Sequence, residues 1–91
     1  MIIVAGHIEV ESGKRDAALA KAVKVIAQAR QTDGCLDFFV APDPIEPDWL
    51  VTYERWETEE ALTKFRGDGP GEDEAADFRE IDVHDYIARR T

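Results

Sequence analysis

Apolar and polar residues alternate from Ile2 to Glu11, so that Ile2, Val4, Gly6, Ile8 and Val10 share one side of an extended chain and Ile3, Ala5, His7 and Glu9 the other. This period of two predicts a strand. Both of its sides are apolar at the N-terminal end, which predicts a strand covered on both faces. Ser12-Gly13 breaks the pattern. From about Arg15 to Gln31 the period becomes helical, with Leu19, Ala22, Val23, Ile26 and Ala29-Arg30 along one stripe and Lys21 and Lys24 toward solvent. Asp33-Gly34 then offers a helix stop, because glycine takes the left-handed conformation readily.

Cys35 to Ala41 is aromatic and β-branched and predicts a second strand, with Phe38 and Phe39 back to back. The Pro42-Asp43-Pro44 and Pro47-Asp48 steps frame a connection that no central strand tolerates, since proline donates no ladder hydrogen bond. Trp49 to Glu57 predicts a third strand, in which Trp49, Val51, Tyr53 and Arg55 alternate against Leu50, Thr52, Glu54 and Trp56. Thr58 suits the cap of a following helix, and Glu59-Glu60 suit its first turn. That helix buries Leu62 and Phe65 and ends at Gly67. Gly67 to Gly71 is a loop, a short helical stretch over Asp73 to Glu80 follows it, and Ile81 to Ala88 is a last strand.

The resulting order, β-α-β-β-α-β, is the ferredoxin-like α+β arrangement, with two helices on one face of an antiparallel sheet. The other face needs cover. Ile2, Ile3, Val4 and Ala5, apolar on both sides of the first strand, and Phe38 and Phe39, back to back on the second, predict a homodimer packed sheet against sheet. With 91 residues the chain forms one domain spanning 1–91, and a thin core makes such extra burial valuable.

Twenty acidic residues against eleven basic ones give a net charge of −9. This balance disfavours nucleic acid and anionic membrane surfaces as partners. The N-terminal apolar run lacks a basic flank and a cleavage site and is too short to span a bilayer, so the expected location is cytoplasmic. Cys35 is the single cysteine, and no Cys/His cluster has metal-ligand spacing. Between Asp68 and Asp85 there are eight acids and one base, Arg79, without the alternating spacing of a calcium loop. That segment reads as a solvated acidic stretch whose glycines suit a flap over a pocket.

VAGHIEV at the start, GKRDA at the first helix, DGCLDFFVAPDP, and above all Tyr53-Glu54-Arg55-Trp56-Glu57-Thr58 at the strand-to-helix junction resemble the antibiotic-biosynthesis-monooxygenase (ABM) domain family. The resemblance covers nearly the whole chain. It implies a dimeric α+β barrel and cofactor-independent oxygenation of quinols, phenols or anthrone-like aromatics with molecular oxygen. Trp56 matches the family's strand-end tryptophan. Thr52, Leu62 and Ala41 stand where the anthrone oxygenases have asparagine, tyrosine and histidine. His7 and Ala75 stand at or near the asparagine and axial histidine of the haem-degrading branch, so the resemblance points away from haem degradation.

His7 is the candidate base, because an imidazole titrates near neutral pH and can take a phenol proton. Its strand side also carries Ile3 and Ala5, small enough to leave space for a flat ligand between sheet and helices. Trp56 offers an apolar wall and one N–H donor, and with Thr52 would position a substrate oxygen. Phe39, Thr52, Leu62 and Phe65 are the candidate substrate-binding residues. His84, between Asp82 and Asp85, reads as a surface or edge residue, and Cys35 lacks a neighbouring base to activate it. Two other functions fit the same barrel: a non-catalytic dimeric module that binds a small aromatic, and an isomerase or lyase that needs the base but no oxygen.

Overall fold

The computed structural model describes residues 1–67 and 78–91. Its elements follow in the expected order: β1 (Ile2–Val10), α1 (Arg15–Arg30), β2 (Cys35–Pro42), β3 (Trp49–Trp56), α2 (Glu59–Arg66) and β4 (Phe78–Ile87). The strands form one sheet in the order β2-β3-β1-β4, antiparallel throughout, so the last strand borders the first. This is the ferredoxin-like α+β topology that the sequence pattern predicts.

Both helices pack on the side of the sheet that carries Ile2, Val4, Ile8 and Val10. One core cluster joins Ile2, Val4, Phe38 and Trp56 to Ala29 of α1 and Leu62 of α2. A second joins Val10 and Leu50 to Ala18. Thr58 caps α2 as its position predicts, its hydroxyl accepting the Ala61 N–H at 3.1 Å. The start of α1 is tied down by a side chain instead, because Arg15 donates to the carbonyls of Asp43 and Glu46 at 3.2 and 3.0 Å across the β2–β3 connection.

Three local expectations change. β4 begins at Phe78, not Ile81, and the helical reading of Asp73–Glu80 fails at 78–80, where Phe78 pairs with Val10 and Glu80 with Glu9. Ladder pairing and the packing of Phe78 against the Val10 cluster outweigh a weak local helical pattern. The rest of that stretch, and residues 68–71 of the glycine-rich loop with its expected flap, lie outside the described residues. On α1 the expected stripe holds at Leu19, Ala22, Ile26 and Ala29, but Val23 is 56% exposed and its place is taken by Ala18 and Val25. A small rotation of an alanine-rich helix about its axis exchanges one apolar flank for the other. Finally, Gly34 has the expected positive φ of 89°, but it serves the turn into β2, since the helix already ends at Arg30.

The opposite face of the sheet carries no helix. Phe39, Val51 and Tyr86 are 49%, 39% and 54% exposed there. Arg55 and Asp37, direct cross-strand partners, form an ion pair at 2.8 Å on the same face. Among the described residues, no helix is long and apolar enough to cross a membrane.

Candidate functional site

A cavity of about 380 Å3 opens between α1 and the helix-facing side of the sheet. Its volume falls within the roughly 300–1,000 Å3 typical of small-molecule sites. Alternation fixes its floor. The register sets Thr52, Gly6 and Val83 in one row across β3, β1 and β4, and Leu50, Ile8 and Ile81 in the next. Val40 and Phe38 of β2 close one side, while Ala18, Ala22 and Val25 of α1 form the roof. Two alanines one turn apart keep the roof thin, so the composition of α1 is what leaves the space open.

The cavity is mostly apolar, with a polar end made by Thr52, Glu54 and Arg66. Glu54 and Asp85 both pair with the buried Val4, one from each neighbouring strand, so all three stand in a single row. Arg66, in the last turn of α2, reaches over this row and clamps Asp85 through two bonds of 2.8 and 2.7 Å. That clamp holds the Asp85 carboxyl below its ordinary range and raises the Arg66 guanidinium further. Glu54 behaves in the opposite way. Burial pushes its carboxyl up and Asp85 adds to the rise, against the lowering effects of the Trp56 N–H and Arg66.

The structure distributes the expected site residues over three places. Thr52 lines the cavity, and its hydroxyl donates to the Gly6 carbonyl over a long 3.5 Å. Trp56, Leu62 and Phe65 form the packed wall behind Glu54. Trp56 is fully buried, 5.2 Å from Phe65 between ring centroids, and its indole N–H donates to Glu54 Oε1 at 2.9 Å rather than into the cavity. His7 and Phe39 lie on the other face of the sheet. His7 stacks on Trp49 at 3.9 Å and Phe39 sits 6.3 Å from Tyr53.

The expectation that His7 faces a space between sheet and helices is therefore corrected. Both sides of β1 are apolar at its start, so alternation separates them without saying which one the helices cover. The helices take the side that stays apolar to the end of the strand, with Ile2, Val4, Ile8 and Val10. His84 is an exposed edge residue as expected, 2.7 Å from Asp82.

Glu54, Arg66 and Asp85 are site residues that the sequence pattern does not predict. Glu54 shares its row with Leu50, Thr52 and Trp56, and a carboxylate flanked by buried positions at i−2 and i+2 is the signal that was available. Arg66 and Asp85 carry no comparable signal, because their meeting depends on tertiary packing.

Solved structures share this architecture. A candidate antibiotic biosynthesis monooxygenase from Deinococcus radiodurans is 26% identical over 100% of this chain and 95% of its own, with a TM-score of 0.81. Another from Nitrosomonas europaea is 17% identical, covers 97% of this chain and 98% of its own, and has a TM-score of 0.84. A conserved protein from Methanosarcina mazei is 20% identical at a TM-score of 0.84, over 97% of this chain and 92% of its own. No curated protein matches the chain. The sequence profile described as antibiotic biosynthesis monooxygenase matches residues 1–81, nearly the whole length, and the chain belongs to that family.

Proposed function

We propose that this protein is a cofactor-independent monooxygenase that oxidises a small electron-rich aromatic, such as a quinol, phenol or anthrone-like compound, with molecular oxygen. The cavity carries this reading, since apolar walls line a volume of about 380 Å3 that ends in a carboxylate, a guanidinium and a hydroxyl. Such a site binds a ring by burial and meets its one polar group at the far end.

The chemistry asks little of the protein. For an anthrone-like ring, loss of one methylene proton leaves a carbanion that passes one electron to dioxygen. The resulting radical and superoxide join through a new C–O bond, and the peroxide takes up a proton. Loss of water, which removes the second C–H hydrogen, leaves a carbonyl. One oxygen atom enters the product and the other leaves as water, so carbon is oxidised from CH2 to C=O and dioxygen is fully reduced. The cavity supplies a proton acceptor, orientation and exclusion of water.

The same reading includes a homodimer. Phe39, Val51 and Tyr86 on the uncovered sheet face would be buried by a second copy packed sheet to sheet, which places His7 and its stacked Trp49 at the interface.

Oxygen uptake by metal-stripped protein against hydroquinones, anthrone and catechols, with product masses, tests the function. Protein-dependent uptake that disappears in Ala22→Phe, which fills the roof of the cavity, is the expected result. A ring bound unchanged under air would make the protein a binding module, and a product of unchanged mass an isomerase.

A further inference from the structure

Three ionisable groups meet at the polar end of the cavity, and two of them are committed to each other. Arg66 spends both terminal nitrogens on the two oxygens of Asp85. Glu54 is held differently: Oε1 accepts the Trp56 N–H, while Oε2 accepts no hydrogen bond among the described residues. Its carboxylate is thus fixed by one oxygen, open at the other, and lines the cavity. A carboxylate in this state has the features of a general base, being oriented, partly desolvated and within reach of a bound ring.

We propose that Glu54 is the proton acceptor of the cavity, receiving on its open oxygen the hydroxyl proton of a phenol or quinol, or the methylene proton of an anthrone-like ring. The proposal rests on the oxygenase reading above and assigns its first step to a residue other than His7. Glu54 takes the proton as the substrate anion forms and returns it to the peroxide after oxygen has added, so the residue ends the cycle unchanged. Trp56 then acts as a positioning residue, since its N–H fixes the carboxylate and never meets the substrate.

The charges around Glu54 support this assignment. Arg66 on α2 faces it and lowers its carboxyl, an effect that the paired Asp85 on β4 offsets in part. Lys21 on α1 lines the same cavity. Cys35 on β2 is also within electrostatic reach, since Glu54 adds to the rise that burial imposes on its thiol. Burial raises the Glu54 carboxyl, which strengthens it as a base while leaving it ionised at higher pH. Activity therefore falls as pH drops through the titration of Glu54.

The test uses two probes, 4-nitrophenol and anthrone, with wild type, Glu54→Gln, Glu54→Asp, His7→Ala and Ala22→Phe. Glutamine retains an oxygen for the Trp56 N–H but accepts no proton. An open carboxylate favours the neutral phenol over its anion, so 4-nitrophenol bound to wild type ionises at higher pH than in water. In Glu54→Gln that displacement shrinks to the part that the apolar walls impose. Anthrone conversion to anthraquinone falls about 100-fold or more in Glu54→Gln and is partly restored in Glu54→Asp.

The ionisation readout needs no turnover and tests the contact of Glu54 with the ring separately from the oxygenase reading. Binding that Ala22→Phe blocks, with the same ionisation in wild type and Glu54→Gln, overturns the role of Glu54 but keeps the cavity. Absent binding, or binding untouched by Ala22→Phe, removes the cavity reading and this proposal together. Turnover lost in His7→Ala and kept in Glu54→Gln would assign the proton to the opposite face of the sheet and overturn the proposal.

Discussion

The indole N–H of Trp56 donates to Glu54 Oε1 at 2.9 Å, joining two residues that point the same way from alternate positions of β3. Through this bond the most buried aromatic of the core and the cavity's open carboxylate become one unit. It also explains how a strand-end tryptophan can matter to a site that it does not line.

Glu54 should cost stability at neutral pH. Burial raises its carboxyl above the value in the unfolded chain, so between those two values the folded protein holds more protons than the unfolded one. Stability falls as pH rises through that window, and the penalty persists above it. Relative to wild type, Glu54→Gln is expected to gain stability from acid toward neutral pH, with Tm a few degrees higher at pH 7. Thermal melts of the two proteins across pH would show parallel curves if the carboxyl were not held up.

Asp85→Asn should shift the cavity without entering it. The Asp85 charge helps to raise Glu54 and neutralises Arg66; its removal lowers the Glu54 carboxyl on both counts. The acid limb of turnover or of 4-nitrophenol binding should therefore move to lower pH. The ion pair is about half exposed, with side chains 45% and 48% accessible, so its loss should cost no more than about 1 kcal/mol. An unmoved acid limb would count against the coupling of Glu54 to this clamp.

Cys35 should react slowly with thiol reagents in the native protein. Burial raises its thiol, and the charges of Glu54 and Asp37 raise it further, outweighing Arg30. Modification by a chromogenic disulfide should lag well behind that of the unfolded chain at pH 7. The rate should increase in Glu54→Gln, which removes one of those two charges. Equal rates in native and unfolded protein would contradict this account.

Gly6→Ala should be among the most damaging single substitutions. Gly6 has a φ of 152°, and a Cβ there would overlap the Asp82 carbonyl oxygen of β4. The obstacle is backbone, so β1 and β4 would have to separate. The expected cost is roughly 3 kcal/mol from strain and overpacking, read as a lowered urea midpoint. The β1–β4 amides should also lose hydrogen-exchange protection before those of β2–β3.

Charges on the uncovered sheet face should prevent the proposed sheet-to-sheet pairing. Phe39→Glu with Val51→Lys replaces two exposed apolar side chains on that face and leaves the helix-facing core alone. Sedimentation of wild type as a dimer and of the double variant as a folded monomer is expected. A monomeric wild type would withdraw the sheet-to-sheet pairing without touching the cavity.

The fold was readable because its signals are local. Strand alternation, the Thr58 cap and the proline-framed connection each need only a few consecutive residues, and each places its element to within a residue or two. β4 was misjudged at its start because Phe78–Glu80 becomes strand only through pairing with Val10 and Glu9. The site was less legible for a related reason. His7 stands out by residue type, yet an apolar start on both sides of β1 leaves open which side the helices cover. Glu54 looked like an ordinary polar position, and its significance comes from burial and from Trp56, both tertiary. Arg66 and Asp85 lie 19 residues apart in sequence, and nothing before folding brings them together.

β3 begins and ends with tryptophan, and seven positions separate the two, so they emerge on opposite faces of the sheet. Trp56 sits beside the cavity, fully buried, while Trp49 stacks on His7 on the uncovered side. The chain thus carries a separate optical reporter for each of its two surfaces. With Trp49→Phe, emission follows events around Glu54 alone. With Trp56→Phe, it follows whatever settles on the face that carries His7. Occupancy of the cavity and association of the sheets can in this way be recorded independently in one unlabelled protein.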